Sequence, residues 1–218
     1  MSAISSGLLT LDGSDAGSIQ ERTDRVTDGL LSSLPYAEQL SATERRGIVA
    51  RYNAVLEGNF IYWMTGAYLA ARSDVARSIT LENLHEEIRD SHPAMLRRFA
   101  VAAGAVPTDS DALAVSRELL DVRLFIGRLS PAPILAMMAF FEGYIQRFMP
   151  YLAELAQRQG SVEMECTDVH GVCDITHTKE LFRALEAEIT LANDPYETVN
   201  LFEGVDLLRA LLQTIVDS

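Results

Sequence analysis

The amino-acid sequence predicts an all-α protein of about seven helices. Runs that alternate apolar and polar residues, as a β-strand does, are nearly absent, whereas long segments with a helical period of about 3.6 residues recur along the chain. These segments are separated by residues that start and end helices, such as Ser, Thr and Pro before them and Gly after them. We therefore expect a bundle in which helices pack on helices.

The first half of the chain is expected to hold three helices, at about 16–34, 41–71 and 80–103, with a short helical piece at about 74–79 before the third. Pro35 should end the first helix, because the residue before a proline disfavours helical backbone. Ser41 followed three residues later by Glu44 predicts a capping box at the start of the second. Gly104, with Pro107 beyond it, should end the third.

The second half is expected to hold four more helices, at about 108–128, at about 131–159, from 168–177 on to about 192, and at about 195–216. Thr108 or Asp109 can cap the first of these. Pro131 suits the first turn of the next helix, and Gly160 suits the position after its end. The pair Asp194-Pro195 should mark the start of the last one.

Length and charge limit the class of protein. A chain of 218 residues can bury one core, so we expect a single helical domain at 17–218 behind a flexible tail at 1–16. The net charge of −13 argues against a nucleic-acid partner, because phosphate binding needs clustered cations. No apolar run approaches the roughly 18 residues of a membrane span, and no secretory signal is evident. We expect a cytoplasmic protein, with a homodimer as one expected assembly.

Candidate metal ligands form a stripe in the second half of the chain. His170, Asp174 and His177 are four and three residues apart, so on a helix they project from one side. At a rise of about 1.5 Å per residue, the two histidines start roughly 10 Å apart, which is far for one ion. Two metal ions about 3.5–4 Å apart, with Asp174 between the histidines, fit this row better. The alternative is that each histidine makes an ordinary hydrogen bond.

The two cysteines lie on the same stripe and suggest a second kind of metal site. Cys166, His170, Cys173 and His177 are all of a type that binds zinc. Along a continuous helix, however, this string spans about 16 Å, so the four side chains cannot reach one zinc ion. The two cysteines lie seven residues apart, and on a helix this Cα separation excludes a disulfide between them.

Two glutamates occupy strongly apolar helical segments. Glu142 lies in the run 135–144, and Glu57 has Phe60 and Ile61 on its own side of the helix. A carboxylate buried in such surroundings must be paired, protonated or bound to a metal, because an isolated buried charge is costly. Both are therefore candidate ligands, with an exposed helix edge as the alternative for each.

The segment 82–93 supplies the other two histidines. Residues on one side of its helix could face a metal: Glu82, His85, Arg89 and His92. The remaining acids are expected to form mainly a solvated face: Glu86, Glu87 and Asp90. Carboxylates mixed with imidazoles suit iron or manganese better than structural zinc.

Taken in order, the candidate ligands resemble those of the haem-oxygenase-like di-iron oxidases, over about residues 40 to 180. The set is Glu57, Glu82, His92, Glu142, His170, Asp174 and His177. The strings that flank them resemble the N-oxygenase branch of that family most: Leu-Glu-Gly-Asn-Phe (56–60), Glu-Asn-Leu (82–84), His-Pro-Ala-Met-Leu-Arg-Arg-Phe (92–99) and Phe-Phe-Glu-Gly-Tyr (140–144).

This resemblance implies a seven-helix fold like that of haem oxygenase, with two iron ions held by side chains in place of haem. The seven residues are the implied ligands; Glu82 is the extra one of the N-oxygenase branch and its implied catalytic residue. His85 is the alternative to His92, since C–C-cleaving relatives can use a closely spaced Glu-x2-His. O2 is the implied co-substrate, and an external donor supplies electrons.

The implied reaction is oxidation of a nitrogen in a small amine, guanidine or amino-heterocycle, to an N-hydroxy or nitro product, in natural-product (antibiotic) biosynthesis. Two other functions stay open. One is an oxidative C–C lyase of the same fold that acts on an amino or fatty acid. The other is a metal-free helical binding module, in which the histidines and glutamates are structural.

Overall fold

Every regular element in the described part of the chain is an α-helix, which confirms the all-α prediction. The computed structural model describes residues 15–192 and 200–218, apart from the side chains of 15–18, 172 and 173. Most of the expected tail at 1–16, and the expected helix start at 194–195, lie outside the described residues. The helices are α1 (Asp15–Ser32), α2 (Ala42–Leu56), α3 (Asn59–Ala70), α4 (Asp74–Arg89), α5 (His92–Ala102), α6 (Asp109–Ala114), α7 (Ser116–Ile126), α8 (Pro131–Arg158), α9 (Glu165–Leu191) and α10 (Glu203–Asp217).

The expected count of seven helices is wrong, because three predicted helices are each divided in two within the described residues. Gly58 separates α2 from α3 with a left-handed φ of 83°, which glycine adopts without a Cβ clash. Ser91 separates α4 from α5 with a φ of 58°, and Val115 separates α6 from α7. A helix cannot continue through a residue with left-handed backbone. A serine in the sequence does not predict such a conformation.

Helix starts follow the predicted capping signals. The hydroxyl of Ser41 accepts a hydrogen bond from the backbone N–H of Glu44, whose carboxylate in turn accepts one from the backbone N–H of Ser41. Thr108 caps α6 in the same reciprocal way, and Pro131 is the first residue of α8. These bonds satisfy backbone donors that the first turn of a helix leaves unpaired.

Helix α8 forms the centre of the bundle. All of its residues from Ala132 to Glu142 are buried, as expected for a helix that is covered on every side. Helix α9 packs along α8 in the most extensive helix–helix contact, and α2, α3, α5 and α10 cover other sides. Trp63 of α3 is fully buried and packs edge-on against Phe141, with ring centres 5.4 Å apart. Glu142, the next residue along α8, therefore lies in the core.

Helices α4 and α5 pack against α9, and α5 also contacts α2 and α8. The inner face of α4 consists of buried residues three or four apart: Ala76, Ile79, Thr80, Asn83 and Glu87. This face points the C-terminal part of α4 toward the stripe on α9. None of the described helices combines the length and the apolar character that a membrane span requires.

Candidate metal centre

Two groups of ligand-type side chains lie where α4, α5, α8 and α9 meet. The first group is Glu87, His92 and His170, and the second is Glu142, Asp174 and His177. Within each group, the possible ligand atoms lie within 4.8 Å of one another. Five of the six residues are buried, and His170 is partly buried. Groups of this size and chemistry can each hold one metal ion.

In the first group, two hydrogen bonds fix the histidines. Nδ1 of His170 donates to the backbone carbonyl of Cys166 at 2.7 Å, since a carbonyl oxygen can only accept. Nε2 of His170 therefore keeps its lone pair for a metal. Nδ1 of His92 lies 2.7 Å from Oε1 of Glu87, and the two imidazole rings meet edge to face with centres 4.6 Å apart.

The two histidines of this group differ in their proton affinity. Burial lowers the pKa of His170, which favours the neutral imidazole that binds metals. Burial also acts to lower the pKa of His92, but the hydrogen bond and the charge of Glu87 outweigh it, so the net shift is upward. In the metal-free protein, the close contact between His92 and Glu87 lies where a cation would bind.

In the second group, His177 has a different partner on each ring nitrogen. Its Nε2 lies 2.7 Å from Oε2 of Glu86, a half-buried residue of α4. Its Nδ1 lies 3.9 Å from Oε2 of Glu142 and 3.9 Å from Oδ1 of Asp174, which is too long for a hydrogen bond. A carboxylate that accepts the Nε2 proton would leave Nδ1 as a lone pair facing both acids.

Glu142 is the residue of the second group whose pKa its surroundings raise. Burial raises its pKa, and the neighbouring charges of Asp174 and Glu87, together with a hydrogen bond to Asp174, raise it further. Its Oε1 is buried and has no hydrogen-bond partner among the described residues. A cation between these carboxylates would relieve their repulsion and give Oε1 a partner. The residues present therefore fit a metal, and their mix of carboxylate and imidazole suits iron.

The predicted site residues divide into two sets in the structure. Those brought together in the two groups are His92, Glu142, His170, Asp174 and His177. Glu57 lies instead at the C-terminal cap of α2, where it is half-buried and forms an ion pair with Arg97 of α5. Glu82 and His85 are exposed on α4. The roles of all these residues as iron ligands stay predictions.

Sequence reasoning assigned Glu86 and Glu87 to a solvated face, and this was wrong. Glu87 is 6% exposed and contacts His92, and Glu86 contacts His177. Asp90, the third acid of that expected face, is exposed and paired with Arg89. The spacing of the buried residues on α4 carried the missing signal, because the next inward position after Asn83 is 87.

A cavity of about 510 Å³, including its open mouth, adjoins the first group. Apart from candidate ligands, its polar lining consists of Tyr52 and Cys166. Burial raises the pKa of Tyr52 well above its ordinary value, and burial raises the pKa of the Cys166 thiol to about 12, so both are uncharged at neutral pH. The zinc hypothesis gains no support, since His170 and His177 belong to different groups.

Comparison with known proteins gives one match. The family model described as iron-containing redox enzyme matches residues 49–211, a span that includes both ligand groups. No curated protein and no solved structure matches the chain. The match covers well over half of the chain and agrees with the all-helical fold and with two groups of side chains that suit iron. The chain therefore belongs to the family of iron-containing redox enzymes, and it is an oxidoreductase.

Proposed function

We propose that this oxidoreductase is an O2-dependent, non-haem di-iron N-oxygenase, which oxidises a nitrogen of a small amine, guanidine or amino-heterocycle in natural-product biosynthesis. The observation that carries the proposal is the pair of ligand groups, linked through one face of α9 and adjoining a cavity. The resemblance of the flanking sequence strings supports the choice of nitrogen as the atom oxidised.

Each group would hold one iron. The first iron would be bound by Glu87, His92 and His170, and the second by Glu142, Asp174 and His177. When bound, the irons supply the capacity to reduce O2 and pass an oxygen atom to substrate. In the simplest case R–NH2, O2, two electrons and two protons give R–NHOH and water, and the electrons come from an external reductant.

The protein's own residues would orient the ligands and exclude water. The Cys166 carbonyl holds His170 in the tautomer that presents Nε2, and Glu86 can do the same for Nδ1 of His177. Partners of this kind often change metal affinity by about 10- to 100-fold. The apolar wall of the cavity keeps the reacting nitrogen in a dry environment, where bulk water cannot quench an oxidant.

The resemblance also implies Glu57 and Glu82 as ligands, as an alternative to Glu86 and Glu87. Glu82 lies one helical turn before Glu86 and on the same side of α4, so a shift of this helix along its axis, or its partial unwinding, would be needed to bring Glu82 to the second group. Glu57 would have to leave its ion pair with Arg97. Glu86 and Glu87 already contact the two groups, so the two sets of acids lead to different mutational predictions.

The proposal is tested by anaerobic titration of metal-free protein with ferrous iron, followed by mixing with O2. We expect two irons per chain, a transient visible absorption band after mixing, and a product that gains oxygen with its carbon skeleton intact. Binding of no iron, or of one iron with no reaction with O2, would contradict it. Ferrous protein without substrate and zinc-loaded protein with substrate serve as controls.

A second candidate function is an oxidative C–C lyase, which the apolar cavity favours because such a wall would accept an alkyl chain. Product mass separates the two reactions, since the lyase releases a carbon fragment. The metal-free binding module is not proposed further, because the chain belongs to a family of iron-containing redox enzymes.

A further inference from the structure

The cavity beside the first ligand group has apolar walls from four helices. These walls are formed by Leu56 of α2, Phe60 and Ile61 of α3, Pro93 and Leu96 of α5, and Ile145 and Met149 of α8. Phe60, Leu96, Ile145 and Met149 are all less than 9% exposed, so the cavity surface belongs to the interior of the bundle. A molecule that enters is removed from water on most of its surface.

With two irons bound, the described lining would offer no unbalanced charge. It contains no lysine or arginine, and its acids are Glu87 and Glu142, both members of the ligand groups. With two ferrous ions, four positive charges would face the three carboxylates of the two groups and the carboxylate of Glu86 beside them. The loaded centre would thus be close to neutral, and a charged substrate would be buried without a partner.

Burial of an unpaired charge is costly, whereas burial of a neutral nitrogen group needs one or two hydrogen bonds. The uncharged hydroxyl of Tyr52 and thiol of Cys166 lie in the wall and can supply them. A guanidinium or alkylammonium ion would need a carboxylate that is not committed to iron. A carboxylate substrate would need a cation other than the metals. The described lining holds neither such a cation nor a carboxylate outside the ligand groups.

We infer that the cavity selects an uncharged, largely apolar nitrogen compound, of the arylamine or amino-azole class, over guanidinium, alkylammonium and carboxylate compounds of the same shape. This inference rests on the proposed function for the identity of the reacting nitrogen and for the two irons that balance the acids of the lining.

The test uses three probes that share one apolar body: para-ethylaniline, which is neutral at pH 7.5; para-ethylbenzamidine, a cation; and para-ethylbenzoate, an anion. Binding to the ferrous protein is measured anaerobically by titration calorimetry. We expect the neutral probe to bind at least about tenfold more tightly than either ion. Equal affinities, or tighter binding of either ion, would overturn the inference.

Variants locate the binding to this cavity. Met149→Trp should fill the cavity and weaken the binding of all three probes. Leu96→Glu should shift the binding preference toward the cationic probe. In Leu96→Gln the new side chain has nearly the shape of glutamate but no charge, so the neutral probe should still bind most tightly. Val162→Glu adds the same acid at a position that is 95% exposed and should change nothing. Binding that Met149→Trp leaves intact would overturn the inference, as would failure of every probe to bind.

Failure of the inference differs from failure of the proposed function. If two irons bind and the neutral probe binds best but the protein does not react with O2, the cavity inference holds and the proposed function fails. If two irons bind and react with O2 while the cation binds best, the di-iron proposal holds and the inference fails. Each result is read without turnover of the natural substrate.

Discussion

The two sides of the metal centre are built differently. Helices α8 and α9 supply their ligand-type residues from uninterrupted elements of 28 and 27 residues. Helices α4 and α5 supply theirs from either side of Ser91, the left-handed residue between the two helices. On a long helix, spacing alone decides which side chains share a face. Where one helix ends and another begins, the spacing of residues no longer predicts which way their side chains point. A small rotation of one short helix then changes which acid faces the centre.

The largest expected effect is on the α8–α9 side. His177→Ala should weaken iron binding at the second group by more than about 100-fold and reduce turnover to background, because a ligand rather than a supporting residue is removed. Iron stoichiometry by anaerobic titration measures this loss. The helical circular dichroism spectrum should stay unchanged, and full iron loading of the variant would show that His177 is no ligand.

On the α4–α5 side, Glu87→Gln should lower iron affinity at the first group by about 10- to 100-fold, because an uncharged amide oxygen, a weaker ligand, replaces the carboxylate. The matched change on the same helix, Glu82→Gln, should have little effect if α4 keeps its position when iron binds, because Glu82 is exposed. The reverse outcome would mean that α4 shifts or partly unwinds when iron binds and that Glu82 replaces Glu86 or Glu87 at the centre.

The same side offers a matched pair of histidines. His92→Ala should remove a ligand of the first iron, while His85→Ala should leave the iron content unchanged, because His85 is exposed on α4 and His92 is buried in the group. Loss of iron in the His85 variant alone would favour the Glu-x2-His arrangement instead.

Glu142 gives a prediction about stability against pH. Its pKa in the folded protein is raised above the ordinary value of 4.5, chiefly by burial, so the folded chain holds a proton that the unfolded chain releases. Its favourable contribution is complete below pH 4.5 and is lost as the pH rises toward the folded pKa. At pH 8, metal-free Glu142→Gln should therefore be more stable than wild type, by about 1–3 kcal/mol.

Urea unfolding with a chelator present, at pH 5 and pH 8, measures this difference. Asp174, Glu86, Glu87 and His177 also surround Glu142, so the informative quantity is the change between wild type and variant. The same variant should lose iron at the second group. A Gln variant that is less stable than wild type at pH 8 would show that Glu142 is buried as a paired anion.

The junction between α4 and α5 can be probed by Ser91→Gly. A non-glycine residue with a φ of 58° carries a steric penalty, so glycine should raise the free energy of unfolding by up to about 1 kcal/mol. Ser91→Ala keeps the Cβ atom and should bring no gain. Chemical denaturation separates these outcomes, and a loss of stability with glycine would mean that the serine side chain stabilises the junction.

The smallest effect is expected at Glu57. Its ion pair with Arg97 joins side chains that are 31% and 69% exposed, and exposed pairs contribute below about 1 kcal/mol. Glu57→Gln should therefore change stability little and leave the iron content at the wild-type level. Loss of one iron in this variant would place Glu57 in the centre, as the family resemblance implies.

Much of this architecture was readable from the sequence. The capping box at Ser41, the start at Pro131 and the all-helical class follow from local chemistry and are confirmed. The break at Val115 was missed because no glycine or proline marks it. The break at Ser91 does carry a signal, Pro93 in the first turn of α5, which suits the start of a helix. The clustering of His170, Asp174 and His177 with Glu142 depends on how α8 packs against α9, which periodicity alone does not specify.

The acids of α4 show why the rest of the site was not readable. Glu86, Glu87 and Asp90 lie within one helical turn and have the same chemistry, so composition could not separate the two that face inward from the one that faces solvent. The position of the buried stripe from Ala76 to Asn83 decides it, and that stripe contains two polar residues, Thr80 and Asn83, which weakened its signal.

The packing of Trp63 has a practical consequence. The sequence contains a single tryptophan, and its indole lies against Phe141, the residue before Glu142. Its intrinsic fluorescence is therefore a one-site optical reporter positioned next to the centre, without any label. Paramagnetic iron should quench that emission while diamagnetic zinc should not, so occupancy of the centre can be followed in real time on the unmodified chain.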